Sequence, residues 1–185
     1  YENDFEKTVG REWSLPITDT TPKGARRFLG QFCNDSVQLT LDNLPPHSKV
    51  TVSFDLFIIR TWDGNYRQNG PDYWGLSVTD GPTLVRTTFS NFPDHGHRQA
   101  YPDLYPGDHL AQTGADEVNT LGYGARDSVY KQTISFEHSG PSLHLSFFAQ
   151  NLQHLSDESW GLDNVRVCVS NQPVPQPPPT FQPTV

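Results

Sequence analysis

The stretch Glu158-Ser159-Trp160-Gly161-Leu162-Asp163-Asn164-Val165-Arg166-Val167-Cys168-Val169 decides the fold class of this chain. Its three valines alternate with Arg166, Cys168 and Ser170, which is the period of a half-buried β-strand. Asp163 precedes the alternation and is expected at the mouth of that strand. The sequence therefore predicts a closing strand beside an opening strand near Asn3-Asp4-Phe5-Glu6, where carboxylates flank one aromatic ring.

The composition favours many short strands joined by turns. The chain has 14 Gly and 16 Pro among 185 residues, and aromatic side chains make up 12%. The formal net charge of −8 argues against a nucleic-acid partner, because such a partner needs a basic face. No apolar run approaches the ~20 residues of a membrane-spanning helix, so we do not expect the chain to span a membrane.

Alternating apolar residues predict about nine or ten strands, of which Lys49–Arg60 is the best core strand. Residues 91–127 show no convincing element, and so long an irregular segment is usually functional or held by a ligand. No helix is long enough for a crossover between parallel strands. We therefore expect an all-β jelly-roll β-sandwich of two antiparallel sheets over residues 1–170. The other predicted strands lie within residues 1–20, 26–33, 36–42, 74–78, 83–89, 129–137, 143–149 and 160–169.

The composition changes at residue 171. Six prolines crowd residues 171–185, which carry no charged side chain. Such a segment cannot build a core and favours an extended polyproline-type linker or tail. We expect it to connect the domain to another domain, chain or anchor. The absence of Met indicates a processed or excised piece.

Several segments together resemble known jelly-roll families. Asn3-Asp4-Phe5-Glu6, Trp13 and Trp160-Gly161-Leu162-Asp163-Asn164-Val165 are similar to the first and last strands of MAM-type and reelin-repeat-type domains. A fuller set also resembles uncharacterised bacterial cell-surface jelly-roll domains. The resemblance implies the fold, an extracellular or cell-surface location and a cation site. The MAM disulfide pattern is missing, so the receptor-adhesion role of that family is not implied. The fuller set comprises residues 53–56, 62–65, 89–91, 121–123 and 157–165.

Acidic groups at the two ends of the domain predict a calcium site. Asp4 and Glu6 point to one face of a strand, and Asp163 with Asn164 enters the closing strand. If the strands pair, these groups converge and repel one another unless a divalent cation lies among them. Solvated edge charges and a turn-capping Asp163 are the alternative interpretation.

A second cluster predicts ligand binding. Trp62, Asp63, Asn65, Asp72 and Tyr73 combine aromatic rings with carboxylates and an amide around a glycine-rich loop. Rings can stack on the face of a sugar while amides bind its hydroxyls, and Asp63 with Asn65 could also supply oxygens to another cation. Alternatively, Trp62 and Trp74 close the end of the core and the acids cap turns.

Cysteine and histidine give weaker signals. Cys33 and Cys168 would form one disulfide in an oxidising compartment, or remain two unrelated thiols. His95, His97 and His109 resemble a transition-metal set but are better explained as surface histidines, because no third ligand has a telling spacing. Asn34-Asp35-Ser36 fits a glycosylation sequon.

No catalytic motif stands out, so we expect no enzyme. Two functions remain open. The first is a calcium-stabilised, carbohydrate-binding module that is secreted or lies at the cell surface. The second is a structural or adhesive subunit of an extracellular assembly that contacts neighbouring surface proteins through its Pro-rich tail.

Overall fold

A computed structural model of the chain describes residues 1–68, 70–124 and 126–171. Strands account for nearly all of its regular secondary structure, and a short 3-10 turn at Pro93–His95 accounts for the rest. The strands are β1 (Glu2–Asn3), β2 (Thr18–Thr20), β3 (Arg27–Phe32), β4 (Ser36–Leu41), β5 (Lys49–Arg60), β6 (Tyr73–Val78), β7 (Thr83–Thr88), β8 (Arg98–Gln99), β9 (His109–Leu110), β10 (Glu117–Val118), β11 (Asp127–Glu137), β12 (Leu143–Gln150) and β13 (Glu158–Ser170).

The strands form two antiparallel sheets that pack face to face as a jelly-roll β-sandwich, as the alternation predicts. The larger sheet has the order β10-β11-β5-β13-β3-β2, with β1 also paired to β13. The smaller sheet has the order β4-β12-β6-β7, and β8 and β9 form a separate ribbon. The core between the sheets is rich in aromatic rings: for example, Phe54 of β5 contacts Trp74 of β6 and Phe147 of β12.

Strand β13 holds the larger sheet together. It pairs with β5 along most of its length, with β3 at Trp160–Leu162 and with β1 near Val165. Its register against β5 shifts between Asp163 and Arg166, where Asn164 has a positive φ of 51°. Asp163 therefore lies at a bulge inside a long strand. The prediction that Asp163 stands at the start of the strand is wrong, because the backbone already pairs with β5 from Glu158 onward.

The two ends of the domain lie side by side, as predicted. Glu2 pairs with Arg166, and the N-terminal ammonium donates a hydrogen bond to the carbonyl of Val167 at 3.0 Å. The predicted opening strand is shorter than the sequence suggests. Trp13 is buried and makes only an isolated bridge with Leu39.

The outer face of the larger sheet has a small core of its own. It consists of Phe28, Phe57, Ile59, Leu121 and Val129. A loop covers it because the buried carboxylate of Asp127 accepts hydrogen bonds from the backbone N–H groups of Leu121, Gly122 and Tyr123. This explains why β5 is apolar on both faces at one end.

The predicted disulfide is wrong, because both cysteines are free. The carbonyl of Cys33 accepts a hydrogen bond from the Trp160 indole, near the start of β13. Cys168 lies near the other end of that strand. The segment of β13 from Trp160 to Cys168 spans roughly 26 Å of extended chain, whereas a disulfide needs Cα atoms within ~7 Å of each other.

Two further predictions concern the limits of the chain. The Pro-rich linker or tail lies outside the described residues, apart from Asn171. Among residues 1–68, 70–124 and 126–171 there is no helix with the length and apolar character that crossing a bilayer requires.

Candidate functional site

The predicted calcium site at the paired ends contains an arginine. The guanidinium of Arg26 lies 3.7 Å from a carboxylate oxygen of Asp163 and 3.5 Å from one of Asp55. Asn164 uses its amide to donate to Asp55 at 2.9 Å. Burial raises the pKa of Asp163 to about 6, and Arg26 opposes that shift. A positively charged side chain thus already offsets the acids at the bulge in β13.

Asp4 and Glu6 also have partners within the chain. One oxygen of Asp4 accepts a hydrogen bond from the backbone N–H of Glu6 at 3.2 Å, which closes a local turn. The Glu6 carboxylate accepts one from the backbone N–H of Arg27 at 3.1 Å. Asp4 and Glu6 lie beyond the end of β1 and not in a strand, whereas Asp163 and Asn164 lie in β13, the strand that pairs with β1. Arginine and backbone groups are the partners of the three carboxylates. They do not form a set of converging, unpartnered oxygens.

A different acidic cluster lies at the end of the sandwich. Asp63 follows β5, Asp72 precedes β6 and Glu158 is the first residue of β13, and all three are buried. One ligand atom from each lies within 4.8 Å of the others. The buried indole of Trp62 fixes the first of these segments, because it donates a hydrogen bond to the carbonyl of Ser159 at 2.9 Å.

Each of two carboxylates in this acidic cluster has one oxygen that is bonded and one that is not. Asp72 Oδ2 accepts hydrogen bonds from the backbone N–H groups of Asp63 and of Gly64, the latter at 3.1 Å. Glu158 Oε2 accepts one from the backbone N–H of Gln153 at 2.9 Å. Asp72 Oδ1 and Glu158 Oε1 are buried and have no hydrogen-bond partner among the described residues.

The electrostatics of the acidic cluster are unfavourable without a counter-charge. Burial, and then repulsion from neighbouring carboxylates, raises the pKa values of Asp72 and Glu158 well above their ordinary range. A buried, unpaired carboxylate is costly and is relieved either by protons or by a cation. Three carboxylates in one place are the ligands of a hard divalent ion, so the acidic cluster could hold a metal ion.

An open cleft of about 650 Å³ lies beside the acidic cluster. The ring of Tyr66 stacks on the imidazole of His97, with centroids 4.6 Å apart and planes 14° from parallel. The Tyr66 side chain is 43% exposed, and the His97 ring also contacts Phe92, with centroids 4.9 Å apart. The cleft thus presents a supported aromatic platform to solvent. Its lining residues are Asn65, Tyr66, Arg67, His95, Gly96, His97, Arg98 and Asp108.

Polar groups surround the Tyr66 platform. Arg98 forms an ion pair with Asp108 at 2.8 Å, and Arg67 is exposed. Asn65 donates to the carbonyl of Gly107 at 2.8 Å and accepts from the hydroxyl of Thr88 at 2.6 Å. The rim of the cleft therefore has fixed amide, guanidinium and carboxylate groups beside an exposed ring, a pattern that suits a small polar ligand.

One contact connects the cleft with the acidic cluster. His97 Nδ1 is 3.4 Å from Asp63 Oδ1. The same imidazole supports Tyr66 on its face, so Asp63 and Tyr66 contact one histidine. The two sites share the loop that starts at Asp63.

The structure separates the five predicted ligand-binding residues. Trp62 is fully buried in the core, so its prediction as an exposed sugar platform is wrong. Asn65 lines the cleft, whereas Asp63 and Asp72 belong to the acidic cluster. Tyr73 belongs to neither set, and the guanidinium of Arg86 lies 3.7 Å from the centre of its ring.

Three contributors are absent from the residues predicted to bind a ligand. Glu158 stands in phase with Trp160 and Leu162, so a carboxylate at an inward position was the available signal. Tyr66 and the stacking role of His97 depend on contacts between distant loops. His109 pairs with Asp103 at 2.8 Å and does not join His95 and His97, which argues against a shared transition-metal site.

No protein-family model and no curated relative matches the chain. Among solved structures it is similar to a family GH115 4-O-methyl-α-glucuronidase with specificity for decorated arabinogalactans (12% identity, TM-score 0.44), covering 92% of this chain and 18% of that enzyme. It is also similar to a carbohydrate-binding module from Cellvibrio mixtus lichenase 5A in complex with cellotriose (13%, TM-score 0.40), covering 94% of this chain and 98% of the module. A third similar structure is a mannan-recognising carbohydrate-binding module (15% identity, TM-score 0.37), covering 90% of this chain and 94% of the module. All three TM-scores are below 0.5, so they are no guide to what this chain binds.

Proposed function

We propose that this domain is a non-catalytic carbohydrate-binding module that works outside the cell, with its ligand in the cleft beside Tyr66. The observation that carries the proposal is the exposed Tyr66 ring held flat on His97. A rigid, solvent-facing ring offers an apolar surface to the face of a sugar at little entropic cost. The amide and charged groups on the rim supply partners for hydroxyls.

A catalytic role lacks support from the same geometry. A glycosidase needs two carboxylates that flank the scissile bond. In the cleft, Asp108 is the carboxylate among the lining residues, and Arg98 pairs with it. Asp94, which contacts the cleft residue His95, is held in an ion pair by Arg126, and the acids of the acidic cluster are buried.

We further propose that the acidic cluster holds calcium. Its donors are all oxygens, which favours Ca²⁺ or Mg²⁺ over softer metals. Calcium suits a buried protein cage better, because magnesium retains several of its waters. Calcium should raise the melting temperature of the chelator-treated wild type by about 5–10 °C at ~100 times the Kd. The shift should disappear in Asp72→Asn and persist in Asp42→Asn, which changes an exposed carboxylate. Equal shifts in both variants would exclude the acidic cluster.

The sugar proposal has its own test. Native gels cast with soluble mixed-linkage β-glucan, xylan, galactomannan or arabinogalactan retard a protein that binds the polysaccharide. We expect retardation of the wild type on at least one gel, and a loss of affinity of at least about tenfold in Tyr66→Ala. Ile17→Ala removes another exposed apolar side chain, outside the cleft, and should bind as the wild type does. If no gel retards the wild type, or if Tyr66→Ala binds normally, the proposal fails.

A further inference from the structure

The loop that carries the Tyr66 platform begins and ends on two members of the acidic cluster. Asp63 is its first residue and Asp72 its last, and Glu158 reaches the same point from β13. Tyr66 lies between the two aspartates in sequence. An ion bound by the acidic cluster would therefore clamp both ends of the segment that presents the platform.

Backbone contacts make this loop a closed unit. The N–H of Asp72 donates to the carbonyl of Gly64 at 2.9 Å, and the N–H of Gly70 donates to the carbonyl of Tyr66 at 2.9 Å. Asn65 donates its backbone N–H to the carbonyl of Arg98 at 2.7 Å, which ties the loop to the other wall of the cleft. A shift in the positions of Asp63 and Asp72 therefore reaches Tyr66 through these backbone hydrogen bonds.

The acidic cluster contains buried oxygens that lack a partner. Asp72 and Glu158 are both fully buried, and each keeps one oxygen without a hydrogen-bond partner among the described residues. Buried polar atoms are nearly always satisfied, so two such oxygens in one acidic cluster point to a missing cation. Without a cation, the buried oxygens at the base of the loop lack a partner, which makes the closed loop less stable than it is with an ion bound.

We propose that a cation bound by Asp63, Asp72 and Glu158 holds the loop in the conformation that presents Tyr66, so that polysaccharide binding requires the ion. This inference rests on the proposed function: its first half rests on the proposed calcium site and its second half on the proposed sugar site. The ordering of the loop by the ion does not depend on the sugar proposal. Linkage makes the effect reciprocal: a bound polysaccharide tightens the ion by the same factor.

The first test uses calcium alone. Chelator-treated wild-type protein is titrated with Ca²⁺ by calorimetry, and amide hydrogen exchange is measured with and without saturating Ca²⁺. The amides of Gly70 and Asp72 should exchange at least tenfold more slowly with the ion. The amide of Gly81, which donates to Val78 in the β6–β7 turn, should not change. Absence of calcium binding, or equal exchange at Gly70 and Asp72, would overturn the inference.

The second test separates the ion site from the sugar site. Glu158→Gln alters the acidic cluster from outside both the loop and the cleft, and Glu137→Gln changes an exposed carboxylate at the end of β11 as the control. On the polysaccharide gels, chelator should weaken the wild type and Glu137→Gln at least tenfold. Glu158→Gln should bind weakly with or without Ca²⁺.

The outcomes distinguish the two proposals. Polysaccharide binding by the wild type that is equal with Ca²⁺ and with chelator overturns the coupling and leaves the sugar proposal standing. If no polysaccharide binds, the sugar proposal falls, and the exchange rates still decide whether the ion orders the loop. If Glu158→Gln does not fold, the wild-type comparison with and without Ca²⁺ gives the same decision.

Discussion

The carboxylate of Asp72 accepts a hydrogen bond from the backbone N–H of Asp63, at the opposite end of the same loop. This contact closes the base of the loop and brings two buried acids together. The candidate sugar platform and the candidate ion site are therefore parts of one local structure.

Replacing Gly64 with Ala should disrupt the loop. Gly64 has φ of +67°, and an added Cβ would lie 2.3 Å from the carbonyl oxygen of Arg98. Strain in the left-handed region and the clash together should cost about 2–4 kcal/mol. Gly24→Ala is the matched control, because Gly24 has φ of +80° and open space around it. It should cost about 1 kcal/mol. Denaturant unfolding measures both, and equal losses would show that the contact with Arg98 is unimportant.

Asp163→Asn tests the bulge in β13. Because burial raises the pKa of Asp163 to about 6 in the folded state, its contribution to stability is greatest below its unfolded value of ~3.9 and is lost as pH rises through 6. Asp163→Asn should therefore gain stability relative to the wild type between pH 4 and pH 7. Thermal melts across this range measure the difference. If calcium no longer raised the melting temperature of Asp163→Asn, the cation site would lie at the paired ends of the domain, as the sequence predicts.

A histidine pair predicts sensitivity to mild acid. His47 Nε2 lies 2.8 Å from His138 Nδ1, and the two rings stack. Burial and the neighbouring imidazole lower the pKa of His138. The contribution of neutral His138 to the stability of the fold is fully present above the pKa of the unfolded state, ~6.5. It is lost as pH falls through the lowered pKa of the folded state. His138→Gln should flatten the fall in melting temperature below pH 6.5.

The control for the histidine pair is His144→Gln, which changes an exposed histidine bonded to Thr40. It should retain the wild-type pH profile. If His138→Gln and His144→Gln have the same profile, the pair does not couple to stability.

The free thiols give a simple chemical prediction. A reducing agent should not change the melting temperature, and two thiols should titrate in the unfolded protein. In the folded protein, exposed Cys168 should react before Cys33, since burial raises the pKa of the Cys33 thiol and lowers its thiolate fraction. Thermal melts with and without reducing agent measure the first prediction, and a titration with a thiol reagent, with and without denaturant, measures the number of thiols and their order of reaction. No reactive thiol after unfolding would mean that a bridge forms, because one disulfide consumes both thiols.

The sequence predicts the fold better than the site for a physical reason. Strand β5 has the same bounds in the sequence prediction and in the structure, because the alternation of its side chains is a local property of residues 49–60. Trp62 shows the limit. An aromatic ring in a glycine-rich loop looks exposed in sequence, yet the jelly roll places it in the core, with its indole N–H on Ser159.

The acidic cluster could be predicted only in part. Asp63 and Asp72 stand out because they flank one loop, and the sequence analysis selected both. Glu158 joins them through the pairing of β13 with β5, which the order of residues does not reveal. Conversely, the first and last strands pair as predicted, but Arg26 comes from another segment and forms an ion pair with Asp163, which the order of residues does not reveal.

The most direct measurement is the anomalous difference density of a crystal grown with Ca²⁺, recorded at long wavelength. The account predicts one peak among Asp63, Asp72 and Glu158, with carboxylate oxygens at about 2.3–2.6 Å. The absence of a peak there, with both unpartnered oxygens hydrogen-bonded to each other or to water, would contradict it. A peak beside Asp163 would contradict it as well.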